Sequence, residues 1–194
     1  MIKTLFRDLL FLLLLCFLTI TIWLLPLIRD ADKADDGQPP PGNLTVIATW
    51  PAGDTDIDLW VTGPGEPNPI GYSNKGGVLW NLLRDDLGAM PDATQLNFEN
   101  AYTRGAPAGE YIVNLHCFRC PVLPQRVFVE VGSAKPADSG KGTVALATAT
   151  VDLKSNGQEK TVIRFQIDAA GDLVPGSMHS VFVPLRSASK AGGL

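Results

Sequence analysis

TVALATATVDLKSNGQEKTVIRFQID, residues 143–168, is the stretch on which the fold turns. Val162, Arg164 and Gln166 alternate with Ile163, Phe165 and Ile167. That period of two marks a half-buried strand. TVALATATVDL reads as a second strand, and SNGQ carries Asn-Gly, a strong hairpin signal. Upstream the pattern recurs: LTVIATW (44–50), the turn PAGDT, DIDLWVT (56–62), a Gly/Pro-rich stretch, IGYSN (70–74), GVLWNLL (77–83), GEYIVNLHCF (109–118) and QRVFVEV (125–131). In the last of these Val127, Val129 and Val131 alternate with Phe128 and Glu130. No amphipathic helix competes. Eight or nine short strands at such spacing predict an all-β domain, a β-sandwich, over residues 43–186. The tail SASKAGGL, 187–194, is expected to be disordered.

The other end of the chain is of a different kind. FRDLLFLLLLCFLTITIWLLPLI, residues 6–28, begins with a charged pair and is then uncharged for twenty residues. As a helix, residues 9–28 cover about 30 Å, enough for a bilayer core. A cleaved signal peptide has a shorter apolar core and a small-x-small site, whereas RDADKADD follows here. Large leucines precede Cys16, which does not suit a lipoprotein cysteine. The expectation is a single uncleaved membrane helix after a short N-terminus (1–8). Lys3 and Arg7 precede it and the acidic stretch follows, so the N-terminus is expected in the cytoplasm and the β-domain in the periplasm of a Gram-negative bacterium. The linker, 29–42, is rich in Pro and Asp and forms a short, stiff spacer. Its ADKADDGQPPPG portion reaches at most ~40 Å.

Taking Lys3, Arg7 and Asp8 off the chain's 16 basic and 20 acidic residues leaves 14 against 19, a net −5. That balance excludes a nucleic-acid or anionic-lipid surface as the natural partner. Cys117 and Cys120 in HCFRCP lie close together, and an oxidising compartment lets them form a disulfide. A thioredoxin-type site needs its first cysteine at a helix N-terminus. Two prolines and a strand follow instead, so a structural disulfide is expected. Zinc would need two more ligands, and only His116 and His179 are available. With no nucleophile elbow, phosphate loop or His-containing triad, no enzyme is read.

The candidate binding residues are acidic. Asp54, Asp56 and Asp58 alternate along one strand and so share a face, and Asp85, Asp86 and Glu99 are placed in later loops that close over its edge. Converging carboxylates suit a hard cation with oxygen ligands, Ca²⁺ best, with Asp56, Asp58, Asp85, Asp86 and Glu99 as the ligand set. No cofactor is required by the sequence. In the other reading Asp54 and Asp86 cap turns while Asp56, Asp58 and Arg84 form hydrogen-bonded pairs. The hydrogen-bonded reading is preferred of the two.

Two resemblances follow from these residues. DTDIDLWVTGPG, GYSN, RDDLG, NFEN and PAGEYIVNL resemble the YfaP-like β-sandwich domains of bacterial exported proteins, over 44–131. That implies a fold and a compartment, not an activity. RDLLFLLLLCFLTITIWLL resembles the helix of the small subunits of ion-driven 5:2 motors: the flagellar stator B subunit (MotB), ExbD and TolR. It implies that Asp8 falls on the ion-carrying aspartate and that a homodimer stands inside a pentameric multi-helix MotA/TolQ/ExbB-like partner. An intramembrane acid suits a proton pathway. Those families end in α/β domains, whereas a β-sandwich is predicted here, so the load and any periplasmic partner do not carry over. Against this, an acid in the first helical turn complements the helix N-terminus and makes the segment a plain tether for a binding module. The motor reading is favoured over the tether.

Overall fold

The structure is a computed structural model that describes residues 2–24, 43–88, 96–134 and 144–186. It divides into two units, 1–38 and 39–194. The linker 29–42, residues 25–28 and the tail 187–194 lie outside the described residues.

The first unit contains α1 (Ile2–Leu24), 23 residues long. Its span Lys3–Trp23 has a mean hydropathy of 2.3, and the helix is long and apolar enough to cross a membrane. At 1.5 Å per residue it measures about 34 Å. The hydroxyls of Thr19 and Thr21 donate back to the carbonyls of Leu15 (3.0 Å) and Phe17 (2.8 Å). The polar groups of this apolar segment are thereby satisfied within it. The helix begins earlier than the sequence suggests. IKTLFRD contains no Gly or Pro, and its Lys, Leu and Arg are good helix formers, so nothing stops helix before Leu9. Asp8 is therefore not in the first turn but the seventh residue of α1.

The described residues of the second unit form a sandwich of eight strands: β1 (Leu44–Trp50), β2 (Asp56–Thr62), β3 (Trp80–Arg84), β4 (Asn97–Thr103), β5 (Gly109–Arg119), β6 (Gln125–Ser133), β7 (Val144–Leu153) and β8 (Glu159–Ile167). One antiparallel sheet has the order β3-β4-β1-β6-β7 and the other β2-β5-β8. The predicted alternation holds where it was strongest. Val127, Val129 and Val131 point into the core with Leu44, Val46 and Ala48 from β1, and Ile163, Phe165 and Ile167 do so from β8. The Tyr111 ring stacks on Phe165 at 5.2 Å and meets Trp80 edge-on at 6.2 Å. Each such buried aromatic contributes about 1.5–3 kcal/mol.

Three elements differ from the expectation. IGYSN is not a strand: Ile70 makes a single bridge to Val61, and Gly71 one to Asn74. NFENAYT, expected as loop, is β4, in the middle of the sandwich between β1 and β3. Finally, β7 and β8 do not form a hairpin across Asn-Gly. β7 pairs with β6 in one sheet and β8 with β5 in the other. The turn 155–158 closes through a Gln158 N–H to Ser155 carbonyl bond, with φ positive at Gly157 (+78°) but not at Asn156. A tight hairpin of the favoured kind needs positive φ at both central residues, and a turn with only the second positive splays its strands. The chain accordingly steps from one sheet to the other.

This step is docked on the cysteine pair. Gly157 N–H donates to the Cys117 carbonyl (2.8 Å) and Cys117 N–H to the Gln158 carbonyl (2.9 Å). The Asn156 side-chain oxygen accepts from Cys120 N–H at 2.6 Å. Cys117, the ninth residue of β5, and Cys120, just past its end, form the expected disulfide, and both are buried.

Candidate acidic cation site

Along β2 the odd positions Ile57, Leu59 and Val61 enter the main core, whereas Trp60 packs with Ile112 and Leu185 in a separate cluster. Asp56 and Asp58 share the parity of Trp60, and both are buried. Asp54 is not on the strand; it is exposed and bridged to Arg119 at 2.8 Å. On β5, directly opposite Asp58, stands His116, whose Nδ1 lies 2.7 Å from Asp58 Oδ2. This His116 contact was not foreseen. Its only sequence signal is that Asn114 and His116 interrupt the apolar run of GEYIVNLHCF.

The decisive residue is Glu99. Its position on β4 turns it inward, and it is 0 % exposed. Because β2 is the edge of its sheet, the Leu59 N–H is free to donate to Glu99 Oε2, at 2.7 Å. Glu99 Oε1 accepts a longer bond from Asp86 N–H (3.3 Å). The chain leaving β3 brings Asp85 to the same place. One oxygen from each of Asp58, Asp85 and Glu99 lies within 4.8 Å of the others. Lys75, also not foreseen, reaches Asp85 Oδ2 at 2.8 Å from an exposed position.

Asp86 takes a different part. Its Oδ1 accepts from Gly88 N–H (3.0 Å), and its Oδ2 from Phe98 N–H (3.1 Å) and Arg84 Nη2 (3.2 Å). Oδ1 closes the 85–88 turn on itself and Oδ2 ties it to β4, and the Arg84 guanidinium lies 4.3 Å over the Phe98 ring. The turn-capping reading of Asp86 thus describes its contacts, while Asp58, Asp85 and Glu99 are drawn together.

The electrostatics follow from this crowding. Burial pushes the Asp56 carboxyl up to about 6, helped by the charge of Asp58 and opposed by Arg119. Burial also raises Asp58, against the lowering effect of its hydrogen bond to His116. Glu99 is raised well above the usual carboxylate range, again by burial first. Asp56 Oδ1 and Asp85 Oδ1 are buried and have no hydrogen-bond partner.

The residues fit a hard divalent cation. Ca²⁺ binds oxygens at 2.3–2.6 Å, so two oxygens on one ion lie no more than about 5 Å apart. The three carboxylates meet that limit, and one of them, Asp85, has a buried oxygen without a donor, whereas Asp56 does not join the group. A soft or borderline metal would want thiolates or further imidazoles, and the nearby cysteines are joined to each other.

No protein-family model, curated protein or solved structure matches the chain.

Proposed function

We propose that the chain is a membrane-tethered binding or scaffold module of a bacterial inner membrane. In this reading its N-terminus lies in the cytoplasm, and its periplasmic β-sandwich holds a structural Ca²⁺ ion where β2, β4 and the 85–88 turn meet. The observation that carries it is the convergence of Asp58, Asp85 and Glu99 oxygens within 4.8 Å, with Asp85 Oδ1 buried and unpartnered. Several buried carboxylates at one place repel and are desolvated, and a bound cation offsets both costs. The tether is α1, with basic residues ahead of its apolar stretch.

The test is thermal unfolding of the full chain in detergent, with chelator or with added Ca²⁺. A ligand at about 100 times its Kd stabilises by about 2.7 kcal/mol. For a domain of this size that is roughly 5–10 °C in Tm. Asp58→Asn combined with Asp85→Asn should abolish the response. Identical melting with chelator and with Ca²⁺ would leave only a hydrogen-bonded cluster.

A second reading is favoured by the position of Asp8. The free backbone N–H groups of a helix end with its fourth residue, and Asp8 is the seventh. Capping does not account for it, and among the described residues its ion-pair neighbour is the adjacent Arg7 at 3.4 Å. In this reading Asp8 is the ion carrier of a proton-driven motor, in which a dimer of this chain is enclosed by a MotA/TolQ/ExbB-like pentamer.

A further inference from the structure

The sandwich has four sheet edges, and three are closed by the chain's own backbone. Beside β3, Leu82 N–H donates to Lys75 and Gly77 N–H to Trp80, in a bridge formed by Gly76 and Asn81. Beside β2, Val61 and Ile70 exchange bonds of 2.9 and 2.8 Å, and Glu99 takes the Leu59 N–H. Beside β8, Arg164 and His179 exchange bonds of 2.7 and 3.0 Å, and Val174 N–H donates to Gln166. The outer edge of β7 has no such cover: among the described residues it is hydrogen-bonded to β6 alone. Open edges are templates for another strand, and proteins commonly close or charge them.

We propose that β7 pairs with β7 of a second copy of this chain, antiparallel and about a twofold axis, so that the five-stranded sheet continues through a homodimer. Three observations select that occupant. First, 144–151, VALATATV, carries no charge, so the edge offers nothing to attract a charged peptide and nothing to repel its own copy. The one charge, Asp152, is already paired with Arg126 at 2.9 Å. Second, the extra residue Leu146 bulges the strand, since Val131 and Gly132 face Ala147 and Ala145. That leaves 147–153 as a regular run centred on Thr150. With the axis at Thr150, Ala149 faces Val151 of the partner subunit and Thr148 faces Asp152 of the partner subunit. No like charges meet, and the β-branched and small side chains suit a cross-strand ladder. Third, α1 confines copies to one plane, where even a short ladder is favoured by effective concentration. This last point rests on the tether reading, but the edge itself does not depend on the cation site.

The test uses the full chain in lipid nanodiscs or detergent, in a Cys16→Ser background that removes the free thiol of α1. Mass measurement should give a dimer that is unaffected by chelator. Thr150→Cys should give a disulfide-linked dimer under mild oxidation, while Thr45→Cys on an interior strand should not. Thr148→Lys with Thr150→Lys places charges on exposed positions of the edge and should shift the population to monomer, with circular dichroism and Tm unchanged. A monomeric parent chain would overturn the proposal. So would a dimer that survives the lysine pair, which would place the contact elsewhere, in α1 above all.

Discussion

Glu99 has no exposed surface, so its carboxylate must be protonated, or held by donors, or neutralised by a cation. Two backbone N–H groups hold it, and Asp58 and Asp85 stand close by. This has a consequence for pH. Asp56 titrates near 3.8 unfolded and near 6 folded, and Asp58 and Glu99 shift in the same direction. Between those values the folded chain binds more protons than the unfolded one. Its stability is therefore present at low pH and lost as pH rises through about 6. We expect the Tm of cation-free protein to fall as pH is raised from about 4 to about 7, and added Ca²⁺ to restore stability only toward the upper end. A cation-free Tm that rises over this window would contradict the buried-carboxylate account.

At the scale of elements, legibility tracked where the hydrophobic residues sit. β6 and β8 announce themselves because aliphatic and aromatic residues occupy every second position. β4 does not, because its inward residues are Asn97, Glu99, Ala101 and Thr103. Each polar member has a structural duty: Asn97 donates to the Pro51 and Gly53 carbonyls, Glu99 accepts from Leu59, and Thr103 Oγ1 accepts from Leu44 N–H. Hydrogen bonding replaces the apolar period, so no pattern is left to read. The acidic site was legible for the same reason in part only. The residue types could be found, but that Glu99 rides on a strand and reaches the β2 edge is a matter of sheet order. His116 and Lys75 come from separate segments, so only tertiary register brings them in. Asn-Gly was misread because residue identity permits several turns, and only the backbone angles decide between a hairpin and a step across sheets.

For the whole molecule, the division of labour between an apolar helix and a β-domain bears on what a single charge in α1 does. Asp8→Asn keeps shape and hydrogen bonding and leaves Lys3 and Arg7 unchanged. An exposed interfacial Asp contributes well under about 1 kcal/mol through the helix dipole. If α1 is only a tether, the variant should match the parent chain in insertion, Tm and every cellular readout. If Asp8 carries ions, the variant should still insert and co-purify with a multi-helix pentamer while the powered process stops. Purification of the parent chain without any such partner, or full activity of Asp8→Asn, would remove the motor reading and leave the tether.

The step between the sheets also governs how the protein ages. Asn-Gly is the dipeptide in which the following backbone nitrogen most easily attacks the side-chain amide, closing a succinimide and expelling ammonia. Here the attacking nitrogen is engaged and the side chain is fixed in place: Gly157 N–H donates to the Cys117 carbonyl, and the Asn156 oxygen accepts from Cys120 N–H. The native fold thus shields a bond that the unfolded chain exposes, and isoaspartate at Asn156 becomes a chemical record of time spent unfolded. Peptide mass spectrometry should find it accumulating in reduced, denatured protein and scarcely at all in native protein held for the same time. Equal rates in both would show that the turn opens freely.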